Sequence, residues 1–210
     1  MQFESFSFRH SKVILKEDKF ITQYNELMSI IKSISDEELV DRHESFGEED
    51  LMKTPKSLSK AINELLKDRF TENEWKSEHD AGIFQDSKYQ GETWRLDFAK
   101  EDISVEVGFN HSSVIAWNLI KPVLASELNH IEKSIQTKIG VVITVTNEMK
   151  EKGGFDNAIG TYEKYLDYLK PLNNILTIPI LIIGIKPPRS FSIAHQQIAP
   201  RKKIGQVIYY

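Results

Sequence analysis

Asp97 and Glu106 stand nine residues apart in the stretch Arg95–His111, RLDFAKEDISVEVGFNH. Leu96 and Phe98 flank the first acid, and Val105 and Val107 flank the second. Alternation at period two puts neighbouring side chains on opposite faces of a strand. The stretch therefore predicts a hairpin of two short antiparallel strands. With a loop over Lys100–Ile103, Ala99 pairs with Ser104 and Asp97 lies opposite Glu106. Directly opposed Cβ atoms are roughly 4.5–5.5 Å apart. Like charges at that separation repel, and a cation between them relieves the repulsion. Oxygen-only donors suit a hard ion such as Mg²⁺, which uses one or two carboxylates, waters and substrate phosphate. The carbonyl of Val107 could add another oxygen. Glu106, Gly108 and Asn110 share one face, and Gly108 leaves a gap beside the acids. The same pattern also suits two acids on a solvated sheet face, with Arg95 neutralising one of them. Spacing alone leaves both readings open.

The elements that must position this hairpin follow from periodicity. Phe20, Tyr24, Leu27, Ile31 and Ile34 fall at three- and four-residue steps, which predicts a helix over residues 18–46. Ser57–Phe70 repeats the pattern, and residues 71–91 are polar and loop-like. After the hairpin, Ser112 or Ser113 could cap a helix, which Pro122 must kink or interrupt. Its register would resume through Leu124, Leu128, Ile131 and Ile135. Gly140–Thr146 and Ile178–Ile185 are continuous β-branched runs, the pattern of strands buried on both faces. Pro179 would place the second at an edge or bulge. Asp156–Leu169 is again helical, with Ile159, Tyr162, Leu166 and Leu169 on one face. Helices alternating with buried strands predict one α/β domain around a mixed sheet with helices on both sides. We divide it into a helical part over about residues 1–90, a sheet core over about 91–190 and a basic tail over 191–210.

Composition removes several alternatives. The chain has 210 residues, enough for one well-buried core and too few for two ordinary domains. It has no cysteine, so disulfides and thiolate zinc sites are excluded and a reducing cytoplasm is permitted. The six histidines show no HxH or HExxH spacing. MQFESFSFRH lacks the basic leader and apolar run of a signal peptide, and IPILIIGI is too short to cross a bilayer. The net charge of −4 argues against a generally basic coat but permits local patches. No P-loop, GxGxxG or GxSxG pattern is present.

The pattern D-x(8)-E-V-x-F, before a helix containing S-E-L, resembles the BglII-type branch of the PD-(D/E)xK restriction endonucleases, related to BamHI. The likeness runs through most of the second half of the chain. It reaches back to ENEWKSE around Trp75 and forward to RKKIGQVIYY. Asp97 and Glu106 match the family's aspartate and glutamate at the family's spacing. Glu78, three residues after Trp75, falls near the place of an upstream acidic or amide residue. Two positions beyond the glutamate, relatives carry Gln, Glu or Lys, whereas this chain carries Gly108. Asn110, on the same face, then has room to reach the metal itself or through a water. The resemblance implies a restriction-endonuclease-like core and a homodimer straddling a short palindrome in double-stranded DNA. It implies Mg²⁺, for which Mn²⁺ can substitute, held by Asp97, Glu106 and the Val107 carbonyl. It also implies a paired DNA methyltransferase and a prokaryotic cytoplasm. Asp97, Glu106, Glu78 and Asn110 would form the catalytic set. The departure at Gly108 keeps two rivals in view: a sequence-specific DNA-binding protein with a weakened site, and a non-specific repair nuclease.

Other residues could touch DNA. Lys100 in the hairpin loop, His111 after it and Lys121 on the next helix could meet phosphates, though each also suits a solvated or structural place. Arg189, Ser190 and Ser192 lie in KPPRSFS, directly after the second buried strand. Arginine can grip guanine with two hydrogen bonds in the major groove. Arg201, Lys202 and Lys203 in the tail would add phosphate contacts or reach the minor groove.

Overall fold

The computed structural model describes residues 1–77, 79–127 and 130–210. The chain enters through strand β1 (Phe3–Phe8), and a short turn α1 (Ser11–Ile14) leads to helices α2 (Ile21–Ser33) and α3 (Asp36–Ser45). The single helix expected over residues 18–46 is thus broken at Ile34 and Ser35. Ser35 is extended, its side chain accepts from the Glu38 N–H, and the Glu38 carboxylate accepts from the Ser35 N–H. This reciprocal cap satisfies donors at a new helix start, and its S-x-x-E signature is present in the sequence. Next come α4 (Ser59–Glu72), β2 (Lys76–Ser77), β3 (Phe98–Lys100), β4 (Ile103–Val107) and α5 (Ile115–Ser126). The chain continues through β5 (Ile139–Val145), α6 (Asn147–Lys152), α7 (Tyr162–Leu169), β6 (Ile180–Ile185), β7 (Phe191–Ala199) and β8 (Lys202–Tyr209).

Six strands form one mixed sheet in the order β1-β6-β5-β4-β3-β2. The middle strands β4, β5 and β6 are parallel, and the pairings toward both edges are antiparallel. Every residue of β5 and β6 is buried, as their continuous apolar runs require when helices cover both faces. Leu27, Ile31, Ile62, Leu66 and Phe70 of α2 and α4 pack with Val105, Val141, Ile143 and Ile183 on one face. Ile115, Leu119, Tyr162 and Tyr165 of α5 and α7 pack with Val142, Ile180 and Ile182 on the other. This is the α/β class that the alternating pattern implies.

Several boundaries differ from the sequence reading. β6 lies inside the sheet, not at an edge: Pro179 stands just before it, and its carbonyl accepts from the Gly140 N–H, so no ladder donor is lost. α5 runs through Pro122 and ends at Ser126, so Ile131 and Ile135 lie beyond it; Leu128 falls outside the described residues. α7 begins only at Tyr162, with Asp156–Ile159 in a turn before it. β1 and β2 add strands to the part read as helical and loop-like. The basic tail folds into a hairpin, β7–β8, with Arg201 at its turn in a left-handed conformation, φ 64°. His43 of α3 hydrogen-bonds the Gly205 carbonyl at 2.8 Å, tying that hairpin to the helical layer.

The acid-bearing hairpin has the expected register. Ala99 pairs with Ser104, and because Lys100 also pairs with Ile103, the turn is the two residues Glu101 and Asp102. Asp102 anchors this turn. Its carbonyl accepts from the N–H groups of Lys138 and Ile139, and its carboxylate pairs with Lys19 at 2.7 Å and Lys138 at 3.3 Å. Partial burial pushes the Asp102 carboxyl up, but the hydrogen bonds from Lys19 and Lys138 outweigh it and leave the pKa below the usual range. A carboxyl whose pKa is lowered by folding stabilises the fold above its unfolded pKa, and that contribution disappears as pH falls through the lowered value. Asp102→Asn is therefore expected to lower the midpoint of thermal unfolding at pH 7, with the difference from the parent shrinking to nothing in acid. Melting curves across pH 2–7 check this.

Candidate active site

The register of β3 and β4 places Asp97, one residue before β3, opposite Glu106. The Val107 N–H donates to Asp97 Oδ2 at 2.6 Å, so the backbone of one strand fixes the acid of the other. Asp97 is half-buried and, with Val107 and Asn110, lines one wall of a cleft. Asn63, Glu64 and Lys67 of α4 line the opposite wall. Sequence reading missed these three. Their three- and four-residue spacing on the polar side of α4 was the available signal.

Glu106 is only 1% exposed, which rules out the solvated sheet face as its setting. Its neutralising partner is not Arg95, whose guanidinium instead donates to the Gln90 carbonyl at 2.9 Å. The partner is Lys121 of α5, which forms an ion pair with Glu106 Oε2 and donates to the Arg95 carbonyl at 3.1 Å. Burial, and then the negative charge of Asp97, push the Glu106 carboxyl well above the usual carboxylate range, with Lys121 opposing both. Glu106 Oε1 is buried and has no hydrogen-bond partner. Buried polar oxygens are seldom left so.

The gap expected at Gly108 is filled. A Cβ there would overlap the hydroxyl of Tyr165, from α7, and would lie 3.2 Å from Asn118 Nδ2 of α5. Asn118 Nδ2 donates to Tyr165 Oη at 2.8 Å, and both side chains are buried. Close packing of α7 brings Tyr165 to this place: a Cβ on Gly184 of β6 would lie 2.7 Å from the Tyr162 ring, so glycine there lets the helix approach. Burial pushes the Tyr165 hydroxyl far above its ordinary range, so it is a neutral donor and acceptor. Asn110 has no route through the Gly108 position, because Tyr165 occupies it. Asn110 is exposed beyond the end of β4, and its carbonyl accepts from the Gly160 N–H at 3.0 Å.

Two lysines are engaged inside the fold. Lys100 is a strand residue, not a loop residue, and its ammonium bonds both Glu26 oxygens, at 2.9 and 3.1 Å, and the Asn73 carbonyl at 2.8 Å. Lys121, 8% exposed, is committed to Glu106. Neither can reach an outside phosphate without breaking its ion pair. His111 is exposed and caps the turn Ser112–Val114, taking the place expected for Ser112 or Ser113: its ring nitrogen accepts from the Ser113 N–H at 3.1 Å. The Arg189 and Ser190 N–H groups and the Ser190 hydroxyl all donate to Asp36 Oδ2, at the start of α3. Ser192 is half-buried in β7, while Arg201 and Lys203 are exposed and Lys202 is half-buried at the tip of the β7–β8 hairpin. Glu78 lies outside the described residues.

The described residues hold no group of three His, Cys, Asp or Glu able to bind a metal. They do offer two facing carboxylates, one with an unsatisfied buried oxygen, beside a cleft. That hard-oxygen donor set fits a divalent ion such as Mg²⁺, which needs only one or two protein carboxylates.

The crystal structure of restriction endonuclease BglII complexed with a DNA 16-mer superposes with a TM-score of 0.66, at 17% identity and covering 100% of both chains. Free BglII gives a TM-score of 0.57 at 17% identity with the same coverage. A search of curated proteins finds no match. The family model for restriction endonuclease BglII/BglIII matches residues 3–185. The chain belongs to that family: it is a type II restriction endonuclease, a site-specific deoxyribonuclease.

Removing one member of a buried ion pair costs about 3–5 kcal/mol, because the other charge is left uncompensated. Lys121→Met is expected to lose that much stability in chelator-treated protein at neutral pH. Glu106→Gln combined with Lys121→Met should recover most of the loss. Denaturant unfolding of both variants beside the parent measures it.

Proposed function

We propose that the protein is a Mg²⁺-dependent member of the PD-(D/E)xK group, related to BamHI, that cuts palindromic double-stranded DNA as a homodimer. Mn²⁺ substitutes for Mg²⁺, the 210 residues act as one endonuclease domain, and a methyltransferase of matching specificity protects the host. The observation that carries the reading is the pairing of Asp97 with the buried Glu106 across two strands at a cleft, in a chain of this family. A two-fold dimer matches a palindromic site by symmetry.

In this reading Asp97, Glu106 and the Val107 carbonyl hold the metal, with Glu78 as the upstream acid. When bound, the ion supplies charge neutralisation and Lewis acidity at the phosphodiester. The chain's own groups do the rest. The Val107 N–H holds Asp97 in place, and Lys121 keeps Glu106 from twisting out of the sheet face. Lys67, exposed on the far wall of the cleft, balances phosphate charge. Asn110 and His111, at the end of β4, bind the strand near the cut. Arg201, Lys202 and Lys203 contact phosphates from the hairpin tip, while the Arg189 guanidinium and the Ser192 hydroxyl read base edges. With a net charge of −4, DNA binding depends on these local cations and so weakens steeply with salt.

Digestion of a sequenced plasmid tests the reading. Discrete fragments with one end sequence are expected in Mg²⁺ or Mn²⁺, and none in EDTA. Asp97→Ala should lower the cleavage rate by about 10²–10³-fold or more, the cost of removing one electrostatic stabiliser from an active site. Lys67→Ala should weaken binding to cognate and non-cognate DNA alike, as loss of a phosphate contact does. A random smear, or a gel shift without cutting, would sink the proposal.

A further inference from the structure

We infer that Tyr165, held by Asn118, is the positioning residue that replaces the side chain missing at Gly108. The inference rests on the cleavage reading above. Position 108 lies one residue past β4 and two from Glu106; its N–H still donates to the Ile143 carbonyl of β5 at 2.8 Å, so a side chain there faces the same layer as Glu106. The space that a side chain at 108 would enter is taken by a hydroxyl from another element, Tyr165 Oη. The exchange is one of polar group for polar group.

A phenol has one proton and two lone pairs. Asn118 fills one lone pair, donating at 2.8 Å, and thereby sets the direction of the hydroxyl. No acceptor for the Tyr165 proton occurs among the described residues. Glu106 Oε1, on the same face, has no donor. A buried donor without an acceptor thus stands at the Gly108 position, and a buried acceptor without a donor belongs to Glu106, two residues away. Asn118 and Lys121 sit three apart on α5, so one helix face holds both the tyrosine and the glutamate. Tyr165 holds the Glu106 carboxylate to its working orientation across one water, since the two make no direct hydrogen bond.

Tyr165→Phe tests this, since it deletes the hydroxyl and keeps the ring. Loss of such a supporting hydrogen bond typically costs 10–100-fold, so kcat should fall by roughly that factor. KM should stay unchanged, as should DNA binding measured by gel shift with Ca²⁺. Asn118→Leu, which releases the hydroxyl without removing it, should lower kcat in the same way. Gly108→Gln alone should collide with Tyr165 and lose activity, whereas Gly108→Gln combined with Tyr165→Ala should cut faster than Tyr165→Ala alone. Thermal unfolding of each variant separates these effects from misfolding: a purely structural tyrosine would lower the melting point and leave kcat intact. A Tyr165→Phe protein with parental kcat overturns the inference and leaves the cleavage reading standing. A parent protein that cuts no DNA with Mg²⁺ or Mn²⁺ overturns both.

Discussion

A carboxylate removed almost wholly from water must find a partner or give up its charge. Glu106 is in that position, and Lys121 is the partner the fold provides. Much of the surrounding architecture follows from the need to bring that lysine in. α5 crosses the sheet with Lys121 turned inward, next to Pro122 and over the second residue of β5, where a Cβ on Gly140 would lie 2.7 Å from the proline ring. The same helix then carries Asn118 to Tyr165. A pair of charges, a hydroxyl and an amide occupy one slot between β4 and the two helices that cover it. None of the four is well satisfied by water, so their order depends on packing.

The parallel centre of the sheet gives this slot a rigid floor. β4, β5 and β6 are locked edge to edge, and the β3–β4 turn is pinned to β5 through Asp102. Asp97 and Glu106 are therefore fixed by backbone pairing before any ion arrives, which limits the reorganisation needed to bind one. The opposite layer, α2 with α4, supplies the outer wall of the cleft through Asn63, Glu64 and Lys67. The two faces of the sheet have different tasks: one holds the acids from behind, the other shapes the entrance.

How much of this the sequence discloses depends on whether a signal is local. The two buried strands, α4, and the register that opposes Asp97 to Glu106 are written in short-range alternation, and the structure has them. The break at Ser35 is also local and is legible once the S-x-x-E cap is weighed against the apolar stripe that runs across it. β1 and β2 are short edge strands whose partners lie far along the chain, so their pattern alone is weak. The Glu106–Lys121 pair spans two elements with a loop between them; a lone lysine in an apolar helix stripe hints at a buried partner without saying which. Tyr165 is the least visible. On α7 it looks like any aromatic of the buried face, and only the placing of the helix puts its hydroxyl against β4.

The glycine at position 108 bears on how relatives of this protein are recognised. A consensus written as letters at fixed intervals scores that position as a loss and files the chain among the inert. The space a side chain there would enter is nonetheless filled by a hydroxyl encoded 57 positions further along, on another element. For proteins of this architecture the unit of comparison is a small volume of space and the polar atoms that fill it, whichever segment delivers them. Searches posed in those terms would recover sequences that a linear pattern discards.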